Sequence, residues 1–184
     1  MKIPSQSVMS VCFVRMRQEC ICMSKKEIKT NVMRILDKEK VAYTAHFYEH
    51  EEGVAVDGVS VAKMLSQDPE RVFKTLVLQG KSKAFYVFVI PVEKELDLKL
   101  SASAVGEKSV EMIHVKDINQ ITGYIRGGCS PIGMKKQFPT VIDSSAESKE
   151  TITVSGGKIG TQVELSPADL SRLVRAKYAE VTTK

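Results

Sequence analysis

Three places along this 184-residue chain carry residue types that could do chemistry. The first is Lys74, inside the run Val72-Phe73-Lys74-Thr75-Leu76-Val77-Leu78. Strand alternation sets Val72, Lys74, Leu76 and Leu78 on one face. A lysine among such neighbours either lays its stem on apolar surface at a sheet's rim or aims its ammonium into a cavity that wants a cation. The spacing leaves both readings open. The second place is Gly127-Gly128-Cys129-Ser130-Pro131-Ile132-Gly133. Glycine lets a backbone approach a ligand and present N–H groups, which suits a phosphate or an oxyanion; the same residues also make a tight, kinked turn. The run has neither Walker-loop nor dinucleotide-fingerprint spacing. The third, Ser155-Gly156-Gly157-Lys158-Ile159-Gly160, carries the same two readings. Two such turns, each following a strand, could face each other across one pocket.

The familiar catalytic sets do not assemble from the sequence. His46 and His50 stand at i and i+4, but in a strand-to-loop segment where that spacing does not bring side chains together. His114 is isolated. No metal site and no cofactor is expected. Cys129 is either a nucleophile or a small buried thiol; no base is near it in sequence, which favours the second. No G-x-S-x-G elbow is present. The net charge of +5 is too mild for a dedicated DNA-binding domain, yet it permits contact with a polyanion. Lys25-Lys26, Lys81, Lys83 and Lys135-Lys136 could touch phosphates or simply form a solvated surface.

The elements that must position these residues are legible in outline. With 43% hydrophobic and 27% charged residues, the chain reads as a soluble globular protein, and no apolar run is long enough to span a membrane. Residues 1–22 read differently from the rest. They hold three of the four cysteines, lack a clean period and do not make a secretory signal. They are expected to be a disordered or non-native extension, with the native chain starting at Met23. That stretch holds three basic and one acidic residue, so without it the charge falls to +3 and the remaining cysteine is Cys129, which fits a reducing cytoplasm. Cys20 and Cys22 lack a second pair and are expected to be unpaired tail cysteines rather than zinc ligands.

From Met23 the spacing predicts a helix over 24–40 and a strand over 41–48. A short helix over 59–65 can start at Asp57, and a turn follows at Asp68-Pro69. Strands over 72–78 and 84–92 suggest a central sheet covered on both faces. Small helices are expected over 99–106 and 115–121, the latter ending at a left-handed Gly123. Short strands follow over 140–142 and 151–154. A last helix starts at Ser166-Pro167, with Leu170, Leu173 and Val174 inward. The reading is a single mixed α/β domain over 23–184, not an alternating doubly wound fold.

Taken in order, the segments Phe47-Tyr48-Glu49-His50, Phe73-Lys74-Thr75-Leu76, Leu96-Asp97-Leu98-Lys99, Thr122-Gly123-Tyr124, Gly127–Gly133, Pro139-Thr140-Val141-Ile142-Asp143 and Val154-Ser155-Gly156-Gly157-Lys158 closely resemble the YbaK/EbsC proteins. These are free-standing relatives of the editing domain inserted in bacterial prolyl-tRNA synthetase. The resemblance spans about Thr30 to Tyr178. It implies a mixed, partly barrel-like sheet with surrounding helices. It also implies a cytoplasmic trans-editing activity that removes cysteine from tRNA(Pro), with Cys-tRNA(Cys) an open second substrate and prolyl-tRNA synthetase a partner. The substrate's own thiol would attack its ester carbonyl. Lys74 would then hold the terminal-adenosine end or the carbonyl, with Thr75 and Tyr48 lining the pocket. Gly127 and Ser155, with backbone groups around Gly128 and Gly156, would fix the aminoacyl moiety and the oxyanion. Gln162 stands where some members carry aspartate, so a carboxylate role there would be weakened or lost. Deacylation of another mischarged tRNA such as Ala-tRNA(Pro), and a non-catalytic tRNA- or synthetase-binding module, stay open as alternatives.

Overall fold

Local sequence signals set most element boundaries in the computed structural model, which describes residues 29–51 and 53–183. Expectations for residues 1–22, and for the start of the first helix before Lys29, lie outside the described residues. Thr30 accepts a hydrogen bond from the Met33 N–H and starts helix α1, Asn31–Lys38, which buries Val32, Met33 and Leu36. The cap therefore places the described part of that helix later than periodicity alone suggested. Strand β1 is Tyr43–Phe47. Asp57 caps α2, Gly58–Met64, by accepting from Ser60 N–H at 3.0 Å. Strands β2, Phe73–Gly80, and β3, Phe85–Pro91, form the expected antiparallel hairpin. Asp97 caps α3, Leu98–Val105.

Beyond α3 come β4, Val110–Met112, and α4, Ile118–Thr122, which stops at Gly123 with φ of 86° as anticipated. Residues 115–117 form a single 3-10 turn ahead of it. The chain then runs through β5, Thr140–Asp143, β6, Ile152–Ser155, and β7, Thr161–Leu165. Helix α5, Pro167–Val174, and strand β8, Lys177–Ala179, complete it. Ser166 occupies the N-cap of α5 without a side-chain cap bond, and Pro167 takes the first helical position.

The expected single mixed sheet is two sheets. A five-stranded mixed sheet has the order β4-β2-β3-β5-β8, and a three-stranded antiparallel sheet has the order β1-β7-β6. One parallel bridge, Val72 to Thr153, links them, so the strands approach a barrel without closing it. The larger sheet is covered on both faces, as its joint hydrophobicity implied. Phe73, Val77, Val87 and Val89 pack with α1, α5 and the smaller sheet. Leu78, Phe88 and Ile90 pack with Ala102 of α3 and Val181. The smaller sheet is stitched across its strands by Glu164, which lies 2.9 Å from His46 Nε2 and 3.4 Å from Arg71. Among the described residues no helix is long and apolar enough to cross a membrane.

Candidate active site

The seam between the two sheets is where the chain brings its unusual residues together. A cleft of about 220 Å³ opens there, bounded by the start of β2, the end of β6, the start of β7, the segment after β1 and the first glycine turn. Lys74, Thr75, Tyr48, Gly127, Ser155 and Gln162 all line it. Val61 of α2, with Val56 ahead of that helix and Val92, supplies apolar wall.

Lys74 sits on β2 opposite Ile90 and donates from Nζ to the Val92 carbonyl at 3.0 Å. It makes no ion pair among the described residues. Burial pushes its pKa below the ordinary lysine range, with Glu95 pulling the other way. One carbonyl satisfies one of three ammonium protons, so the cation retains donors for a ligand. Lys74 is partly buried and lines the cleft.

Two buried polar atoms in the same cleft have no partner among the described residues: Thr75 Oγ1 and Gln162 Oε1. An unpaired buried polar atom costs about 1–3 kcal/mol, and two of them beside an ammonium make this cleft a candidate place for a polar ligand. Gln162 reaches the cleft because β7 pairs it with Ser155 of β6 and His46 of β1.

The two glycine turns do meet. A side chain on Gly128 would put its Cβ 3.1 Å from the Ile159 nitrogen, and on Gly127, with φ of 81°, 2.8 Å from the Ala55 Cβ. Close approach of three chain segments therefore requires these glycines. Their amides differ in use. Gly128 N–H donates to Ile125 O at 3.0 Å and Gly156 N–H to Thr161 O at 2.9 Å. Neither glycine lines the cleft, and turn geometry uses both of these N–H donors. Gly127, which does line the cleft, keeps its N–H without an acceptor among the described residues. Ser155 Oγ accepts from Gly157 N–H at 3.3 Å, which orients the serine toward its own turn.

Cys129 also lines the cleft. Burial pushes its thiol pKa up to about 12. A thiol so disfavoured as the anion is a weak nucleophile at neutral pH, which supports the buried-thiol reading. His46 is engaged by Glu164, and His50 stands edge-on to Tyr48 with ring centroids 6.1 Å apart. Among the described residues no group of three His, Cys, Asp or Glu side chains could hold a metal. Arg126, exposed at the cleft's edge, was not singled out from the sequence; only its place before Gly127 hinted at it.

Comparison with known proteins bears on this arrangement. Residues 53–173 match the aminoacyl-tRNA editing domain family. Over 164 residues the chain is 48% identical to EbsC of Enterococcus faecalis, which is named as a candidate Cys-tRNA(Pro)/Cys-tRNA(Cys) deacylase. That alignment covers 88% of this chain and 99% of the relative. A proline–tRNA ligase of Brachyspira hyodysenteriae is 22% identical over 148 residues, which are 78% of this chain but 26% of the ligase. A solved structure described as a candidate trans-editing enzyme for prolyl tRNA synthetase superposes with a TM-score of 0.70 at 18% identity, covering 84% of this chain and 99% of that one. This last likeness establishes a shared fold.

Proposed function

The chain belongs to the aminoacyl-tRNA editing domain family, and from that premise we propose that it is a trans-editing deacylase that clears cysteine from mischarged tRNA(Pro). Cysteine is nearly proline's size, and a binding pocket separates such similar side chains by only roughly 10–200-fold. A second, destructive sieve is the physical remedy. The observation that carries the reading is the cleft itself, where an ammonium faces the same small space as two unpartnered buried polar atoms.

At about 220 Å³ the cleft is smaller than the roughly 300–1,000 Å³ sites that enclose drug-sized ligands. It suits an aminoacyl ester while the tRNA stays outside. Gln162 Oε1, an acceptor without a donor, suits the α-ammonium of the bound aminoacyl group. Lys74 and the free Gly127 N–H suit the ester carbonyl, whose oxygen gains negative charge as it is attacked. In this scheme the cysteinyl sulfur loses its proton and attacks its own carbonyl carbon. The bond from that carbon to the ribose oxygen breaks. A cyclic thiolactone leaves, and the ribose oxygen takes up the proton. The protein contributes position and charge rather than a nucleophile, in keeping with the protonated state of Cys129. Gln162, neutral where some relatives carry aspartate, makes the grip on the ammonium a dipole contact rather than an ion pair. Cytoplasmic action and cooperation with prolyl-tRNA synthetase follow from this reading.

The test is a panel of Cys-, Ala- and Pro-tRNA(Pro) and Cys-tRNA(Cys), incubated with and without prolyl-tRNA synthetase. Clearance of Cys-tRNA(Pro) is expected, with Pro-tRNA(Pro) spared. Faster clearance of Ala-tRNA(Pro) would reassign the substrate, and no clearance of any member would leave a binding module.

A further inference from the structure

The cleft's inner end and its rim differ in charge chemistry. Inside lie Lys74 and the unpartnered Thr75 and Gln162 atoms. At the rim the two glycine turns meet, and each carries an exposed cation: Arg126 directly before Gly127, and Lys158, whose Cα would be 3.3 Å from a Cβ on Gly128. Among the described Lys and Arg residues, Lys29, Arg71, Lys149 and Arg172 pair with a carboxylate and the rest do not, so it is place rather than lack of a partner that sets these two apart. Arg126 and Lys158 make no ion pair among the described residues. Arg126 alone of the two lines the cleft.

On the reading that an aminoacyl ester occupies the interior, the anion nearest that ester is the phosphodiester joining the terminal adenosine to the preceding nucleotide. In this proposal it leaves the cleft at this rim, where Arg126 stands. We infer that Arg126, seconded by Lys158, grips that phosphodiester and so sets the register of the single-stranded tRNA end. A guanidinium presents a planar fork of donors that matches two phosphate oxygens, whereas a lysine is a point charge. The glycines beneath let both turns approach the strand closely. Arg126 is thus a positioning residue for the ester: it holds the nucleotide so that the carbonyl falls beside Lys74.

The experiment compares two substrates that share the ester and differ in phosphate. One is Cys-tRNA(Pro); the other is 2′(3′)-O-cysteinyl adenosine, which has none. For Arg126→Ala the loss in kcat/KM on the tRNA is expected to exceed the loss on the nucleoside by about tenfold, carried by KM. Arg126→Lys should restore part of it. The salt dependence of tRNA turnover should flatten by about 0.7 in log–log slope for each lost contact. Lys158→Ala should show the same pattern more weakly. Equal losses on both substrates in Arg126→Ala, or an unchanged salt slope, would overturn the phosphate grip while leaving the deacylase reading intact. Wild-type protein that clears neither substrate would instead bring down the deacylase reading, and the grip with it.

Discussion

Two hollows lie at opposite ends of the β2–β3 hairpin, and the smaller one is the proposed site. The groove at the hairpin's turn measures about 540 Å³ and is walled by Gln79, Phe85, Met112, Ile113, His114 and Phe138. The cleft at the start of β2 measures about 220 Å³. None of the groove's lining residues carries a buried side-chain polar atom without a partner, whereas the cleft carries two. The groove's aromatic walls satisfy each other, Phe85 and Phe138 standing edge-on at 6.2 Å. Gln67, in neither hollow, also carries two such atoms, so what distinguishes the cleft is unpaired polar atoms beside an ammonium in one space; capacity alone is a poor guide.

That contrast can be broken by mutation. Lys74→Ala should reduce deacylation by about a hundred- to a thousandfold, since it removes the charge facing the ester carbonyl, while circular dichroism and the melting transition stay near wild type. Retained turnover in a folded variant would detach Lys74 from the chemistry. Thr75→Val should cut kcat/KM by about tenfold and at the same time stabilise the ligand-free protein by about 1 kcal/mol, because an unpartnered hydroxyl gives way to a methyl. Denaturant midpoints and kinetics on one sample check both signs. A loss of both stability and activity would mean that Thr75 has an internal role.

In the groove the pattern should invert. Phe85→Ala should lower stability by about 1–3 kcal/mol through lost packing while deacylation changes by less than about twofold. The smallest effect is expected at Cys129. Cys129→Ser should alter the rate by less than about threefold, and its pH–rate curve should overlay that of wild type. Both curves should rise with pH toward the ordinary thiol value of about 8.5, as the substrate's sulfur loses its proton. Cys129, held up near 12, stays protonated throughout that range. A dead but folded variant would restore the nucleophile reading.

Capping residues made much of the fold legible in advance. Asp57, Gly123 and Pro167 sit at element boundaries because they fit backbone needs that do not depend on distant contacts. Strands β4, β7 and β8 escaped notice for the opposite reason. Val110–Met112 and Lys177–Ala179 are three residues each, too short for a period to register. Thr161–Leu165 buries Thr161, Gln162, Val163 and Leu165 alike, so its polar residues look like a loop although both faces are covered. The site was less legible than the fold. Spacing left Lys74 undecided between rim and cavity, and only the ordered resemblance to the YbaK/EbsC proteins pointed to it. The structure gathers Tyr48, Thr75, Gly127, Ser155 and Gln162 around it. It also shows what no sequence reading of a glycine turn can supply, which is whether an amide is free. Those of Gly128 and Gly156 are spent within the chain, and that of Gly127 is not.

The central claim is that the substrate's sulfur, not a protein group, breaks the ester. Parallel measurement of Cys-tRNA(Pro) and Ser-tRNA(Pro) clearance by the wild-type protein tests it most directly, since the two esters differ by one atom. The account predicts that the cysteinyl ester disappears at least about a hundredfold faster, given the far greater nucleophilicity of sulfur near neutral pH. Equal rates for the two esters would contradict it.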